Sequence, residues 1–136
     1  DDSVNMILKT GSIAKGGEVF ITKMKCIKIL DLAEVMLRDL KKIKKTKNLK
    51  SNILEIGPKP GEKLYEELMS DEEATRSIEL DEFFCILPAF RQDYKKIDYS
   101  YKKVLKNKIK NPYNSSNEKH MSKSQISMFL SKSKLL

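Results

Sequence analysis

The residues best suited to chemistry lie in a short loop rich in proline and glycine. The stretch PKPGEK occupies positions 58–63. Its prolines fix φ, and Gly61 allows a positive φ or a close approach of the backbone to a ligand. Lys59 supplies a positive charge suited to a phosphate, and Glu62 supplies two acceptor oxygens suited to a diol such as ribose. The loop therefore predicts a cradle for a nucleoside diphosphate.

We expect a helix to begin directly after Gly61, because the stretch LYEELMSDEEA is rich in leucine and glutamate. Leu64 and Leu68 are expected to pack inward from this helix. The free N–H groups at its N-terminus would add to the attraction for an anion. The pattern also fits an ordinary strand-to-helix turn, in which Glu62 only favours the helix dipole and Lys63 is solvated. Both interpretations remain open on the pattern alone.

Strands are predicted before and after this loop. The stretch KGGEVFIT (15–22) indicates a glycine turn that leads into a short strand. NILEIG (52–57) indicates a second strand directly before the loop. SIELDEFFCILP (77–88) indicates one or two further strands, with Pro88 as the stop.

Helices are predicted in four further places. An N-terminal helix is indicated by Val4, Ile7 and Leu8 at helical spacing, and a capping box at Ser70 and Glu73 indicates a short helix. A short C-terminal helix is expected from Ser122 or Ser124 to Leu130. The clearest helix runs from Ile29 to about Lys44, with an apolar face of Ile29, Leu32, Ala33, Met36, Leu37, Leu40 and Ile43.

The net charge of the chain is +8, and almost all of the positive charge is lysine. The lysines concentrate in 41–50 and in the tail after Asp93. Such a pattern occurs in proteins that bind nucleic acid or an anionic surface, and it also occurs on an ordinary solvated face. We favour the solvated face over a nucleic-acid partner, because arginine and aromatic residues are not interleaved with the lysines.

The remaining composition excludes several classes of protein. No apolar run approaches the roughly 20 residues that span a bilayer, so no membrane partner is expected. Cys26 and Cys85 have apolar neighbours and no CxxC spacing, which predicts reduced core residues in a cytoplasmic protein. With one histidine, His120, and no Cys/His cluster, no metal site is predicted.

Three stretches resemble a known family when they are taken in order: GGEVFITKMKCIKILDLAEVM, then IGPKPGEKLYEELMSDEEATRSIELDEFFCILP, then PYNSSNEKHMS. The chain is similar over residues 1–130 to the C-terminal part of bacterial polysaccharide-biosynthesis proteins. These are nucleotide-sugar 4,6-dehydratases and 4-epimerases of the extended short-chain dehydrogenase/reductase superfamily. The central stretch carries the most specific part of the resemblance.

The resemblance implies an α/β fold, namely the C-terminal substrate-binding lobe of an extended Rossmann-type enzyme. Two or three short strands, about four helices and an extended tail are expected. In the family, the corresponding loop reaches the UDP portion of the substrate, which gives Lys59 the diphosphate and Glu62 the ribose, with Gly61 between them. The chain departs from the family where Lys59 replaces an arginine, and where Leu30 replaces the Ser or Thr cap of a helix.

The resemblance also implies a cofactor that this chain is not expected to bind. The family binds NAD(P) through an N-terminal Rossmann half, and the five glycines here form no dinucleotide motif. Tyr99 and Lys103 have the spacing of the family's catalytic pair. We reject them, because a lysine-rich chain yields such a match by chance and because they follow the substrate loop. No catalytic residue is therefore assigned, and NAD(P) and the missing Rossmann domain are assigned to a longer parent.

The sequence thus predicts a substrate-binding lobe over 1–90 and an extended tail with a short terminal helix over 91–136. The expected function is UDP-sugar binding within a 4,6-dehydratase or 4-epimerase of capsule or O-antigen biosynthesis. One alternative is a non-catalytic module for sugar-nucleotide binding or assembly, and another is a basic nucleic-acid-binding protein. A lobe separated from its sheet exposes apolar surface, so a homo-oligomer is also expected.

Overall fold

A computed structural model describes residues 2–43, 53–90 and 96–133 of the chain. Within these residues the chain forms an α/β fold with four helices and six short strands. The elements, in chain order, are α1 Asp2–Ile13, β1 Val19–Thr22, α2 Ile29–Ile43, β2 Glu67–Met69, α3 Asp71–Thr75, β3 Ser77–Leu80, β4 Phe83–Ile86, β5 Val104–Lys106, β6 Tyr113–Asn114 and α4 Lys123–Lys132.

The described residues form two compact units, and each contains segments from two parts of the chain. Unit 1 is Asp1–Met24 with Tyr65–Asn117, and unit 2 is Lys25–Leu64 with Glu118–Leu136. Residues before and after the predicted boundary at position 90 therefore fold together in each unit. The boundary at position 90 is adjacent to residues 91–95, which the structure does not describe, and it stays a prediction.

Unit 1 is built on a four-stranded antiparallel sheet in the order β1-β4-β3-β5. The central strand β4 is the run FFCI, and all four of its residues are buried. A continuous apolar run is typical of a strand that is covered on both faces. Phe84 and Ile86 pack on one side with Met69 and Tyr113, whereas Cys85 packs on the other side with Leu80. The predicted strand region 77–88 is thus confirmed as two strands.

A second, two-stranded sheet pairs β2 with β6 and leads into α3. The helix α3 has the predicted capping box, because the Ser70 side chain accepts from the Glu73 N–H and the Glu73 carboxylate accepts from the Ser70 N–H. The strand β6 lies in the stretch predicted as an extended tail. Its Tyr113 is buried, and its hydroxyl both accepts from the Met24 N–H at 2.7 Å and donates to the Met24 carbonyl oxygen at 2.8 Å.

Unit 2 is organised around the packing of α2 on α4. Val35, Ile126 and Leu130 form its buried cluster. Ser122 caps α4 and forms a capping box with Gln125, so the predicted C-terminal helix is confirmed. The predicted helix at 29–44 is also confirmed as α2, although Lys44 lies outside the described residues.

The apolar face predicted for α2 is confirmed in part, because Leu32 packs against the buried cluster, and it is wrong at some of its positions. Val35, which was not assigned to that face, is almost fully buried, whereas Ile29 is 77% exposed and Met36 is exposed as well. The physical reason is that α4 covers the side of α2 that carries Leu32 and Val35. A helical repeat identifies residues on one side of a helix, and only the packing partner decides which side is covered.

Two further predictions around the loop were wrong. The described part of 52–57 forms no strand, and Leu54 and Ile56 are exposed, because no strand within the described residues pairs with this segment. The helix expected directly after Gly61 is also missing. The chain instead enters the short strand β2, since β6 supplies an antiparallel partner there, and Leu64 is 88% exposed rather than packed inward.

Candidate functional site

The candidate site is a tight turn over residues 59–62. The Glu62 N–H donates to the Lys59 carbonyl oxygen at 3.0 Å. Pro60 and Gly61 occupy the two central positions, and Gly61 has a φ of +87°. A proline followed by a residue with positive φ is the signature of a type II turn, which explains the need for glycine at this position. A Cβ built at Gly61 meets nothing within 4 Å, so backbone conformation rather than space selects the glycine.

The Glu62 carboxylate stabilises its own turn. One of its oxygens accepts a hydrogen bond from the Lys59 N–H at 2.9 Å. Lys59 and Glu62 are therefore connected by two hydrogen bonds, one between their backbones and one from the Lys59 backbone to the Glu62 side chain. These bonds define the conformation of the turn, although it lies on the surface. The carboxylate retains a second oxygen for a ligand hydroxyl, and a carboxylate has acceptor sites for several donors.

The three predicted site residues thus lie in one turn, but not at a helix N-terminus. The helix that was expected to direct its N–H groups at a phosphate does not form, so that source of anion attraction is lost. What remains is the exposed Lys59 ammonium on a flexible stem. Every described residue from 53 to 68 is exposed, so a ligand at this turn would be held on an open surface.

The glycines do not lie where a dinucleotide cofactor needs them. A dinucleotide turn follows a strand and opens a helix. Gly16 and Gly17 instead precede the strand β1, and Gly57 and Gly61 precede β2. The described residues therefore do not fit a dinucleotide turn, and no reaction step is derived through NAD(P) for this chain.

Gly16 and Gly17 belong to a turn held by Glu18. The Glu18 carboxylate accepts from the N–H groups of Lys15 and Gly16 and from the Tyr101 hydroxyl, the last at 3.0 Å. Burial raises the pKa of Glu18, but these hydrogen bonds outweigh it and leave the pKa below its usual value. Burial and the contacts with Cys85 and Glu18 hold the pKa of the Tyr101 phenol well above its usual value. The tyrosine therefore stays protonated and serves as a donor that supports the turn.

Tyr99 and Lys103, which have the spacing of the family's catalytic pair, lie in structural positions in this fold. The Tyr99 hydroxyl donates to the Gly16 carbonyl oxygen at 2.6 Å. Lys103 is exposed and has a φ of +59° in the turn before β5. Tyr99 thus connects the 96–101 segment to the glycine turn, which is a structural role.

The two cysteines are free thiols, with Cys85 fully buried and Cys26 partly exposed. His120 forms an isolated backbone bridge with Cys26. Within residues 2–43, 53–90 and 96–133, no group of three or more His, Cys, Asp or Glu side chains could hold a metal ion. In the same part of the chain, no helix is both long and apolar enough to cross a bilayer.

The strand that follows the loop has an anchor that the sequence analysis missed. The Glu66 N–H donates to the Ser115 hydroxyl at 2.9 Å, and the Ser115 N–H donates to the Glu66 carbonyl oxygen at 2.8 Å. Asn114 begins the turn beside it, because its side-chain oxygen accepts from the N–H groups of Ser116 and Asn117. The run NSSN was the available signal, since asparagine and serine favour such turns.

Comparisons with known proteins identify a matching family model and several similar proteins. A family model described as "Polysaccharide biosynthesis protein" matches residues 1–88. An uncharacterised membrane protein of Methanocaldococcus jannaschii is 37% identical over 96% of this chain and 35% of its own length. An inverting UDP-N-acetylglucosamine 4,6-dehydratase of Campylobacter jejuni is 31% identical over 74% of this chain and 27% of its own length.

A solved structure is similar over almost the whole chain. Pen from Bacillus thuringiensis has a TM-score of 0.78 and 34% identity, and the match covers 99% of this chain and 37% of that protein. The chain therefore spans roughly a third of the length of these matched proteins.

Proposed function

Because the chain belongs to the polysaccharide biosynthesis protein family, we propose that it is the UDP-sugar-binding part of a nucleotide-sugar 4,6-dehydratase. The observation that carries the proposal is the turn at 59–62, which brings Lys59, Gly61 and Glu62 together and is closed by two hydrogen bonds between Lys59 and Glu62. The likeness to the Campylobacter dehydratase supports a dehydratase over the related 4-epimerase.

In the proposed complex, the Lys59 ammonium and the diphosphate form a charge-assisted contact. The second oxygen of Glu62 accepts from a ribose hydroxyl, while its first oxygen keeps the turn closed. An arginine can bind a phosphate through two parallel hydrogen bonds, whereas a lysine provides a single point charge. Lys59 would therefore fix the orientation of the phosphate less strictly than an arginine would. The substrate class follows from these two contacts, and the sugar is recognised elsewhere.

The chemistry proposed for the whole protein needs groups beyond these residues. In that protein NAD(P), held by the Rossmann part, would supply the acceptor and donor of a hydride, for a 4,6-dehydratase and for a 4-epimerase alike. Within this proposal the chain contributes binding and orientation, the Rossmann part contributes the cofactor, and the protein acts in the cytoplasm. The alternative without catalysis is a module that binds sugar nucleotides or assembles with a separate Rossmann subunit.

A titration with UDP-N-acetylglucosamine, followed by the backbone amide shifts of the labelled protein, tests the site. We expect shifts to concentrate at the amides of 57–63. Lys59→Ala should weaken binding roughly tenfold or more, because a hydrogen bond to a charged group contributes about 1.5–3 kcal/mol. Glu62→Ala should weaken it as well, because it removes both the ribose acceptor and the contact that closes the turn.

Matched controls lie directly beside the site. Lys63→Ala removes an exposed lysine just beyond the turn, and Glu66→Ala removes an exposed glutamate before β2. Neither should change affinity more than about twofold. Shifts distributed over the whole molecule, or equal losses for Lys59→Ala and Lys63→Ala, would contradict the assignment of this turn as the nucleotide site.

A further inference from the structure

The net positive charge of the chain lies in one of its two units. Unit 1 carries 12 lysines and arginines against 13 aspartates and glutamates, a net charge of −1. Unit 2 carries 15 against 6, a net charge of +9, and the two values account for the total of +8. A uniformly lysine-rich protein would have a net positive charge in both units. The separation makes unit 2 the part of the chain that would attract an anionic partner.

Unit 2 also exposes apolar side chains among these lysines. Lys25 and Lys28 are exposed, and Lys28 directly precedes Ile29 and Leu30, which are 77% and 56% exposed at the start of α2. The Lys25 ammonium lies 5.7 Å from the ring centroid of Phe129, which is also partly exposed on α4. We call Lys25, Lys28, Ile29, Leu30 and Phe129 the basic–apolar patch.

The nearby acidic residues do not neutralise this patch. Asp31 and Glu34, which follow it on α2, form ion pairs with Lys123 of α4. Asp39 accepts hydrogen bonds from Arg38 and from the Ser127 hydroxyl. These three carboxylates thus pair with Lys123 and Arg38, and within the described residues no ion pair involves Lys25 or Lys28. Both lysines therefore remain available to an external anion.

We propose that the basic–apolar patch docks unit 2 onto an anionic membrane surface. Lysines beside exposed aliphatic and aromatic side chains are the combination that binds such a surface, since the ammonium groups meet lipid phosphates while the apolar groups enter the headgroup region. The proposal concerns surface binding and needs no helix that crosses the bilayer. It goes beyond the proposed function and does not depend on the turn at 59–62.

Nucleic acid fits the same patch less well. Binding of single-stranded nucleic acid relies on aromatic side chains that stack on bases and on arginine, which stacks on bases and forms bidentate hydrogen bonds with phosphates. Unit 2 contains a single arginine, Arg38, and that residue is paired with Asp39. Ile29 and Leu30 have no use in a phosphate groove, whereas they gain from contact with lipid.

Cosedimentation of the chain with lipid vesicles tests the proposal. We expect the chain to pellet with vesicles of phosphatidylcholine and phosphatidylserine, to stay in solution with phosphatidylcholine alone, and to bind less as salt increases. Lys25→Glu with Lys28→Glu should lower the partition coefficient at least roughly tenfold. Leu30→Ser should lower it several-fold without changing the salt dependence.

Unit 1 supplies matched controls for both changes. Lys108→Glu with Lys110→Glu alters the net charge by the same amount, and both lysines are exposed. Leu105→Ser removes a leucine that is 57% exposed, close to the 56% of Leu30. The controls should leave vesicle binding almost unchanged, and circular dichroism of every variant should match that of the parent chain.

Several results would overturn the proposal. These are a lack of binding to the anionic vesicles, equal binding to neutral vesicles, and equal losses for the control pair and the patch pair. Tighter binding to random-sequence DNA than to vesicles at the same salt concentration would also overturn it, and would assign the patch to nucleic acid. Because the first two readouts use the unaltered chain, they remain decisive even if a variant does not fold.

Discussion

At the scale of single residues, the two cysteines differ in their access to reagents. Cys85 is fully buried in β4, and burial raises the pKa of its thiol. Cys26 is partly exposed, and burial together with the nearby Glu118 carboxylate raises its pKa as well. Since the thiolate is the reactive form, both thiols should react more slowly than a free cysteine at pH 8, and Cys85 should be protected further by the sheet.

We therefore expect a disulfide reagent to modify one thiol in the native chain and the second only after denaturation. Cys26→Ser should remove the native reaction and leave the reaction of the denatured protein. The measurement is the time course of thiol modification with and without guanidinium. A native reaction of Cys85 at the rate of Cys26 would show that β4 is not enclosed as described.

The candidate site shows what residue types alone could predict. Proline followed by glycine predicts a turn, because each residue restricts or permits particular φ values, and the turn at 59–62 confirms this. The contact between the Glu62 carboxylate and the Lys59 N–H was not predictable from residue type, since it depends on the rotamer that the finished turn allows. The roles of Lys59 and Glu62 toward a nucleotide stay a prediction until a ligand is measured.

At the scale of elements, the helices α3 and α4 both begin with a capping box, and the two boxes differ in whether the third residue carries a carboxylate. Both have a serine cap and a partner three residues later, which is Glu73 in α3 and Gln125 in α4. The backbone N–H of Ser70 and then its hydroxyl donate to Glu73, and these hydrogen bonds hold the pKa of Glu73 below its usual value. Only the α3 cap can therefore respond to pH.

This difference predicts a pH dependence of stability with a defined sign. Because the folded pKa of Glu73 is lowered, its contribution is present above its ordinary pKa of about 4.5 and is lost as the pH falls through the folded value. Glu73→Gln, which copies the box of α4, should remove that dependence. Ser70→Ala should cost about 1 kcal/mol at neutral pH, because it removes the cap.

Urea unfolding of these variants at pH 7 and at pH values below 4.5 gives the comparison. Gln125→Glu is the reciprocal control and should introduce the missing acid dependence at α4. An unchanged acid dependence in Glu73→Gln would mean that other carboxylates, such as Glu79 between Lys23 and Lys106, dominate that range.

Elements were predictable where local pattern and tertiary partner agree. The capping box at Ser70 and the run FFCI identified α3 and β4 correctly, and the C-terminal helix was also predicted at the position of α4. The stretch after Gly61 was assigned to a helix because its composition favours one, yet β6 lies more than 40 residues later and pairs it as the strand β2. Local propensity contains no information about such a distant partner.

At the scale of the whole molecule, apolar surface remains exposed on α1. Val4, Ile7 and Leu8 lie on one side of this helix and are all exposed. The helix is tied to the sheet by the ion pair between Lys9 and Glu82 at 2.6 Å, which lies at the surface and contributes little. An apolar helix face of this kind is a typical association surface.

We therefore expect the chain to self-associate with increasing concentration, which light scattering would detect as a rise in mean mass. Ile7→Ser with Leu8→Ser should reduce the association. Leu54→Ser with Ile56→Ser, on the exposed segment before the turn, is the control that separates the α1 face from that segment. A monomer at every concentration would contradict the expected homo-oligomer.

The pairing of Tyr113 with Met24 has a consequence for how motion in the chain can be followed. Met24 gives both its N–H and its carbonyl oxygen to one phenol, which here takes the place of a neighbouring strand. The amide hydrogen of Met24 is therefore shielded by a side chain, not by a sheet ladder. The exchange of this hydrogen with deuterated solvent would report how often the Tyr113 hydroxyl releases its hydrogen bonds to Met24. Met24 is also the last residue of the first segment of unit 1, so this exchange would follow motion at the end of that segment.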